Sequence, residues 1–491
     1  MKGESKPNIL LIMTDQQRFD TCGPMAPDFL RTPHWNDLAR EGITFDRSYA
    51  QCPVCVPSRV STMSGRSAIH YARHGNGPSS QVLGRQGTLP DILRGLGYQT
   101  CAIGKMHFGP QRTRHGFEEM IIPEDYFREI ERSGNPLQPM RHGLDQCELY
   151  PSLSTVPEPL TLTSWITEQC VRYILERRDP SIPFFLWCSY AKPHPPLDPP
   201  EPYYSMYRDC PIPEPVYGDW AEPERCPTAF ERFRQTWGAD LLSRDTIRAA
   251  RAAYYGLVTQ IDYNLGRLFA ALQGAGVFDN TLIIYTSDHG EYLGDHHASS
   301  KVFHHEPAAH VPLVMRMPRS WPERRCGSTV SSPVTHADVL PTLVGAAGGA
   351  TAEFPDGLNL IELARSVVQP RGLLEMCDMS WGAPDKDIPS SLAITDGRWK
   401  YIWYPEGGYE QLFDLTNDPR ELKDLAVEAK WADKKEELHG ELVRRHRDRD
   451  SRCVQGDRLV TVERLDDSEE SRRANVQKVF ATEWTPMDVR H

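Results

Sequence analysis

Two apolar runs in this sequence end in acidic residues. Asp15-Gln16 closes the run from Ile9 to Met13, and Asp288-His289-Gly290 follows Leu282-Ile283-Ile284-Tyr285. In open α/β sheets ligands sit beyond the carboxyl ends of strands, so residues at such ends are the first to inspect. The two ends together offer carboxylates from Asp15 and Asp288 and neutral donors from Gln16 and His289, a set suited to a divalent cation. An Asp at a strand end also often caps the next helix, and for either end alone both readings stand. A third segment, Cys52-Pro53-Val54-Cys55-Val56-Pro57-Ser58-Arg59, has the C-x-x-C spacing of redox and zinc sites. Pro53 inside the pair and the lack of a second C-x-x-C weigh against both. The histidines between His289 and His310 invite a zinc-cluster reading, but the adjacent pairs His296-His297 and His304-His305 do not have helical ligand spacing.

These residues need strands and helices to bring them together. Asn8–Met13, Thr100–Ile103, Phe184–Ser189, Thr281–Ser287 and Leu313–Arg316 read as strands, and Leu89–Leu96, Leu162–Arg177 and Arg244–Gln273 as helices. The last places Ala253, Leu257, Ile261 and Leu265 on one face. Strands alternating with helices predict an α/β fold, a large mostly parallel sheet sandwiched by helices. Beyond about residue 370 the pattern changes to the short strands Leu373–Cys377, Leu392–Thr395 and Trp399–Tyr404, then a charged helix over Ala429–Arg447. The expected organisation is a catalytic α/β domain over 1–369, a small antiparallel sheet with a helix over 370–450, and a charged tail over 451–491. The loops Gly109–Pro159 and Pro195–Ser243 are expected to shape a substrate pocket. Trp381 and Tyr409 read as packing residues.

The 491 residues carry 55 Lys and Arg against 67 Asp and Glu, a net charge of −12, which argues against a nucleic-acid or anionic-membrane surface. Hydrophobic residues at 39% suffice for a sizeable core and exclude a disordered chain. No apolar run approaches the roughly 18–20 residues of a membrane span. The first run is too short for a secretory core and no small-residue cleavage site follows it. A cytoplasmic location is therefore expected, with the 12 scattered cysteines mostly buried thiols.

Cys55-Val56-Pro57-Ser58-Arg59 matches the C-x-P-S-R signature of type I sulfatases. Ile103-Gly104-Lys105-Met106-His107-Phe108-Gly109 resembles that family's G-K-x-H-x-G segment, and Lys192-Pro193-His194 its K-P-H loop. Thr286 to Glu291, Leu293-Gly294-Asp295-His296 and Lys301 resemble its second metal strand and downstream lysine. His336 to Leu343 and Leu412-Phe413-Asp414-Leu415 to Glu421 resemble later landmarks. From Pro7 to about Ala426 the chain thus resembles the formylglycine-dependent sulfatases of the alkaline-phosphatase-like superfamily. It departs from many members in having Asp15-Gln16 for Asp-Asp and Asp288-His289 for Asp-Asn.

The resemblance implies a sulfate-monoester hydrolase whose Cys55 is oxidised to formylglycine by a separate maturation enzyme. It implies a metal held by Asp15, Gln16, residue 55, Asp288 and His289, with calcium expected and manganese, magnesium or zinc open. In that reading the hydrated aldehyde is the nucleophile and Arg59 orients it. Asp288 takes the diol proton, and Lys105 and Lys301 meet negative charge on the sulfuryl group. His194 is the acid toward the leaving oxygen and His107 the base that releases sulfate. The substrate would be a carbohydrate or aryl sulfate. The alternatives are a phosphonate or phosphodiester hydrolase on the same site and a silent binder retaining the fold. For each residue alone the plainer reading is structural: Lys105 or Lys301 a solvated surface charge, His194 a packed loop residue.

Overall fold

The computed structural model describes residues 6–464 except 73–74, 78, 80–82, 84–86, 135–137, 140, 145–147, 323 and 381–386. Trp381 and the tail beyond residue 464 thus lie outside the described residues. The main sheet is built from β1 (Asn8–Asp15), β2 (Ile43–Phe45), β4 (Gln99–Gly104), β5 (Glu119–Ile121), β6 (Phe184–Pro193), β7 (Thr281–Ser287), β8 (Leu313–Arg316) and β9 (Ser328–Val330). Its 8 strands run in the order β5-β4-β6-β1-β7-β8-β2-β9. β3 (Ser48–Tyr49) pairs separately with β10 (Val334–Thr335). β1 lies parallel between β6 and β7, with Leu11 opposite Trp187 on one side and Ile284 on the other. Only β8 runs against its neighbours.

Such a sheet has no solvent-facing side, so its central strands are apolar throughout rather than alternating. Every residue of β1 is buried. Ile9, Leu11 and Met13 join one core cluster and Leu10 and Ile12 another, one on each face of the sheet. The first face is covered by α1 (Cys55–Ser64), a helix the periodicity did not announce. The second is covered by α2 (Leu162–Arg172) and the far half of α3 (Arg244–Gly274), through Ile166, Ile261, Leu265 and Leu268. The expected helix over Leu162–Arg177 is α-helical to Arg172 and ends in a wider π turn over Tyr173–Arg177. In α3, Arg251, Gln260 and Asp262 are buried along with the apolar stripe. The near half of the helix is enclosed by the 195–243 segment, whose Tyr207 and Ile212 cluster with Ala253, Leu257 and Val258.

The second sheet is antiparallel, with strands β11 (Leu374–Cys377), β12 (Leu392–Thr395), β13 (Trp399–Tyr404) and β14 (Tyr409–Asp414) in that order. It is followed by α4 (Ala432–Asp448). Its Met376, Ala393 and Ile394 belong to the same core cluster as α1. β14, read in the sequence only as a landmark, pairs with β13 over its whole length. After α4, the short strands β15 (Val454–Gln455) and β16 (Arg458–Leu459) form a hairpin, and Val462 bridges back to Glu406. The fold class is thus the one the element pattern predicted. No helix among the described residues is long and apolar enough to cross a membrane.

Candidate active site

The carboxyl ends of β1, β4, β6 and β7 all reach the same buried point. Asp15 is the last residue of β1 and Asp288 the first after β7; both are fully buried. Between them sits the guanidinium of Arg59, from α1, which donates from Nε to Asp288 Oδ2 at 2.9 Å and from NH2 to Asp15 Oδ2 at 3.1 Å. Its NH1 donates to Ser189 Oγ at 2.8 Å and to the Lys105 carbonyl. The Arg59 side chain therefore joins three strand ends, contacting the carboxylates that flank residue 55. Lys105 Nζ adds an ion pair of 2.6 Å to Asp15 Oδ2. Gly104, at the end of β4, has φ +102°, and a Cβ there would lie 1.9 Å from the Ser189 carbonyl oxygen. Only glycine fits, and this turn carries Lys105 to Asp15, with Lys105 N donating to Ser189 O at 2.9 Å.

Cys55 is the first residue of α1, preceded by an extended Val54 whose side chain makes no cap. All ten residues of α1 are buried, so its polar side chains bond inward: Thr62 Oγ1 donates to Ser58 O at 3.1 Å and Ser64 Oγ to Val60 O at 2.7 Å. Pro57 is tolerated because it lies in the first turn, where no intrahelical acceptor is required. Cys55 Sγ lies 3.1 Å from His289 Nε2. Burial and the Asp15 carboxylate push this thiol up, but Lys105, Lys301 and His289 outweigh them and hold it well below its ordinary value. Cys52, three residues away, is a free thiol pushed up by burial. The two cysteines of the C-x-x-C are therefore electrostatically opposite, as a redox pair would not require.

Four buried ligand atoms, one each from Asp15, Cys55, Asp288 and His289, lie within 4.8 Å of one another. Asp15 Oδ1 is buried without a hydrogen-bond partner. His289 Nδ1 donates to Gly290 O at 3.0 Å, which aims Nε2 at Cys55 Sγ and the carboxylates, where the neutral ring would offer its lone pair to a cation. Burial and the charge of Asp15 push Asp288 up to about 6. Asp15 itself is held well below the usual carboxylate range: burial opposes this, but the fixed charges of Lys105 and Arg59 prevail. An unpartnered carboxylate oxygen, two acidic groups and an aimed imidazole fit a divalent cation.

Gln16 departs from its expected place among the ligands. Its backbone takes φ +67°, a left-handed conformation fixed from beneath by Tyr254 of α3, which donates to Gln16 O at 2.6 Å and accepts from Arg18 N at 2.9 Å. The backbone N–H of Gln16 donates to Asp288 Oδ1 at 3.1 Å. Its carboxamide is engaged elsewhere, accepting from Lys301 Nζ and donating to Glu291. Lys301 and His194, which the plainer reading left on the surface or in loop packing, are both buried here, with Lys301 Nζ 3.1 Å from His194 Nε2. His194 Nδ1 lies 2.8 Å from Pro195 O, so its proton sits there and Nε2 accepts from Lys301. Burial, Lys301 and Lys105 keep this imidazole well below its usual value. His107, two residues past Lys105, has φ +58° and a buried Nδ1 with no hydrogen-bond partner.

Three residues in the site had no role assigned from the sequence: Ser189, Tyr254 and Glu291. Ser189 and Glu291 carry a usable signal, since both lie at or just past strand ends; Tyr254, mid-helix, carries none. The two inserted loops meet above the K-P-H loop, with Ser152 N donating to Leu197 O at 3.0 Å and His142 Nε2 3.1 Å from Asp198 Oδ2.

The sulfatase family model matches residues 7–350, and the model for the C-terminal part of N-sulphoglucosamine sulphohydrolase matches residues 294–448. This chain belongs to the sulfatase family. It is accordingly a sulfuric ester hydrolase on the alkaline-phosphatase-like fold. Among its relatives is an arylsulfatase of Clostridium perfringens, 31% identical, with 93% of this chain and 97% of that one covered. A choline-sulfatase of Rhizobium meliloti is 30% identical, covering 86% of this chain and 82% of the other. The fold is shared with the phosphonate monoester hydrolase of Agrobacterium radiobacter, at a TM-score of 0.74 and 24% identity, over 90% of this sulfatase and 96% of that chain.

Proposed function

We propose that this sulfatase hydrolyses a sulfate monoester of an aryl or carbohydrate alcohol at the Cys55 cluster, with Cys55 matured to formylglycine by a separate enzyme. The observation that carries the reading is the convergence of residue 55, two carboxylates, an imidazole and the cations Arg59, Lys105 and Lys301 within one buried pocket. Asp15, Asp288 and His289 would hold a divalent cation, calcium by expectation, which would supply positive charge to the sulfuryl oxygens and lower the pKa of the nucleophile. Formylglycine would supply a geminal diol able both to attack sulfur and to release sulfate afterwards.

The chain's own side chains divide the remaining work. Arg59 holds Asp15 and Asp288 in register. Lys105 sets a fixed positive charge beside Asp15, where sulfuryl oxygens gather negative charge. Asp288, whose carboxylate lies within the same cluster as residue 55, can take the proton from it. Lys301 carries the proton for the leaving oxygen, and His194 accepts its hydrogen bond and orients it. His107 keeps its expected role as the base for sulfate release. We keep the cytoplasmic location as part of this proposal.

Asp15-Gln16 and Asp288-His289, which also suit phosphorus esters, favour a second reading as a phosphonate monoester or phosphodiester hydrolase. One aryl alcohol presented to matured enzyme as its sulfate, phosphodiester and phosphonate separates the two by kcat/KM. The sulfate should lead; phosphorus esters ahead by orders of magnitude would reverse the assignment. The mass of the peptide across residue 55 should be that of an aldehyde, the thiol side chain having lost sulfur and two hydrogens and gained one oxygen. A protein made with its maturation enzyme that remains a thiol would favour the silent binder.

A further inference from the structure

Glu291 lies two residues past His289 and is 1% exposed. Its Oε1 accepts from two backbone groups, Leu293 N at 2.8 Å and Ser300 N at 2.6 Å, which closes the loop that carries Lys301. Its Oε2 accepts from Gln16 Nε2. The oxygen of the same carboxamide accepts from Lys301 Nζ. A carboxamide has one accepting and one donating end, and its partners decide which way it faces. A carboxylate only accepts and an ammonium only donates, so Glu291 and Lys301 demand one and the same orientation of Gln16.

We propose that Glu291 is a positioning residue for Lys301: by taking the Gln16 amide hydrogen it turns the Gln16 oxygen to the ammonium and holds Lys301 against His194. This deepens the sulfatase reading and rests on it for the sulfate-ester step. The geometry makes an unusual demand of the isosteric variant. In Glu291→Gln the single remaining oxygen is claimed by the Leu293 and Ser300 amides, which leaves the new NH2 facing the Gln16 NH2. Two donors cannot bond to each other, so Gln16 must turn over or withdraw, and Lys301 loses the Gln16 oxygen that holds it against His194. Adding Gln16→Glu returns an acceptor to both neighbours at the wild-type net charge.

The test measures kcat and KM of matured, calcium-loaded enzyme on p-nitrophenyl sulfate and on an alkyl sulfate, whose poorer leaving oxygen depends more on a supplied proton. E291Q should lose about 10- to 100-fold in kcat on the alkyl ester and clearly less on the nitrophenyl ester, with little change in KM. The double variant E291Q/Q16E should recover most of that loss. A crystal structure of E291Q should show Lys301 Nζ beyond hydrogen-bond distance of residue 16. Equal losses on both esters without rescue, or Lys301 unmoved in the crystal, would overturn the proposal. If E291Q does not fold, Gln16→Met keeps the loop closure and breaks only the relay; a loss that does not favour the alkyl ester then refutes it. Failure of the underlying reading is separate, since wild-type enzyme would then hydrolyse no sulfate ester, while the crystal readout stands independently.

Discussion

The charge clusters around Lys400 and around Cys55 are both fully buried, and they are finished differently. At the junction of the two sheets, Lys400 of β13 donates to His304 O at 2.8 Å, Glu306 Oε1 at 2.6 Å and Glu421 Oε1 at 2.8 Å. Its three protons are all placed. The other oxygens are used as well: Glu306 Oε2 meets His310 Nδ1 at 2.7 Å, and Glu421 Oε2 accepts from Glu306 N at 2.6 Å. The Cys55 cluster is left open. Arg59 and Lys105 share Asp15 Oδ2, while Asp15 Oδ1 has no partner and His289 Nε2 faces a thiol. A closed buried network ties elements together; an open one of the same depth awaits a ligand, because an unpaired buried polar atom is costly to keep.

The contrast is broken most severely at residue 55. Cys55→Ala should lower kcat/KM of the matured enzyme by about 10^4- to 10^6-fold, the scale on which loss of a covalent nucleophile is felt. Its melting temperature should be unchanged or higher, because the side chain belongs to no closed network. A melting temperature that falls in step with activity would place Cys55 among the structural residues. Lys400→Met should do the reverse. It leaves Glu306 and Glu421 facing each other without a cation and should cost about 3–5 kcal/mol in urea unfolding, with kcat of the folded fraction within a few-fold of wild type.

The smallest effect comes from a lesser closed cluster, in which Glu375 of β11 meets Arg449 NH1 at 3.0 Å and His446 Nε2 at 3.1 Å. Burial opposes the charge of His446, yet Cys453 and Glu375 raise it to about 9. A folded-state value above the unfolded one stabilises fully below about 6.5 and is lost as pH rises through about 9. Wild type should therefore lose on the order of 2 kcal/mol between these limits relative to His446→Gln, read as the difference between their melting curves across pH. A constant difference would show that His446 is neutral in the folded chain.

The central strands were legible because both faces of a parallel sheet are buried, and unbroken apolar runs such as Asn8–Met13 and Thr281–Ser287 suit few other elements. The short strands β2, β5 and β9 were not, since three residues carry no period. α1 was hidden for a related reason: its apolar stripe is only Val56, Val60 and Met63, and the Ser and Thr residues between them bond carbonyls of their own helix once buried. Of the site, the strand-end residues and the C-x-P-S-R segment stood out, and the carboxylates and imidazole did meet around Cys55. The Gln16 carboxamide also bonds Lys301 and Glu291, which its sequence neighbours could not show, because residue type says what an amide can bond and its partners say what it does. Lys400 and Glu306 had no signal at all, being distant in sequence and ordinary in composition, and Glu421 stood out only as the end of a landmark segment.

What the order of residues determined by itself was local: which runs must be buried strands, and which chemically capable groups stand at their ends. The assembled fold alone decided the proton inventory, namely that His194 accepts from Lys301, that Gln16 faces Glu291, and that Asp15 keeps one oxygen unpaired. Hydrogen-bond direction and pKa depend on the few ångströms around each atom, and those neighbours come from strands hundreds of residues apart.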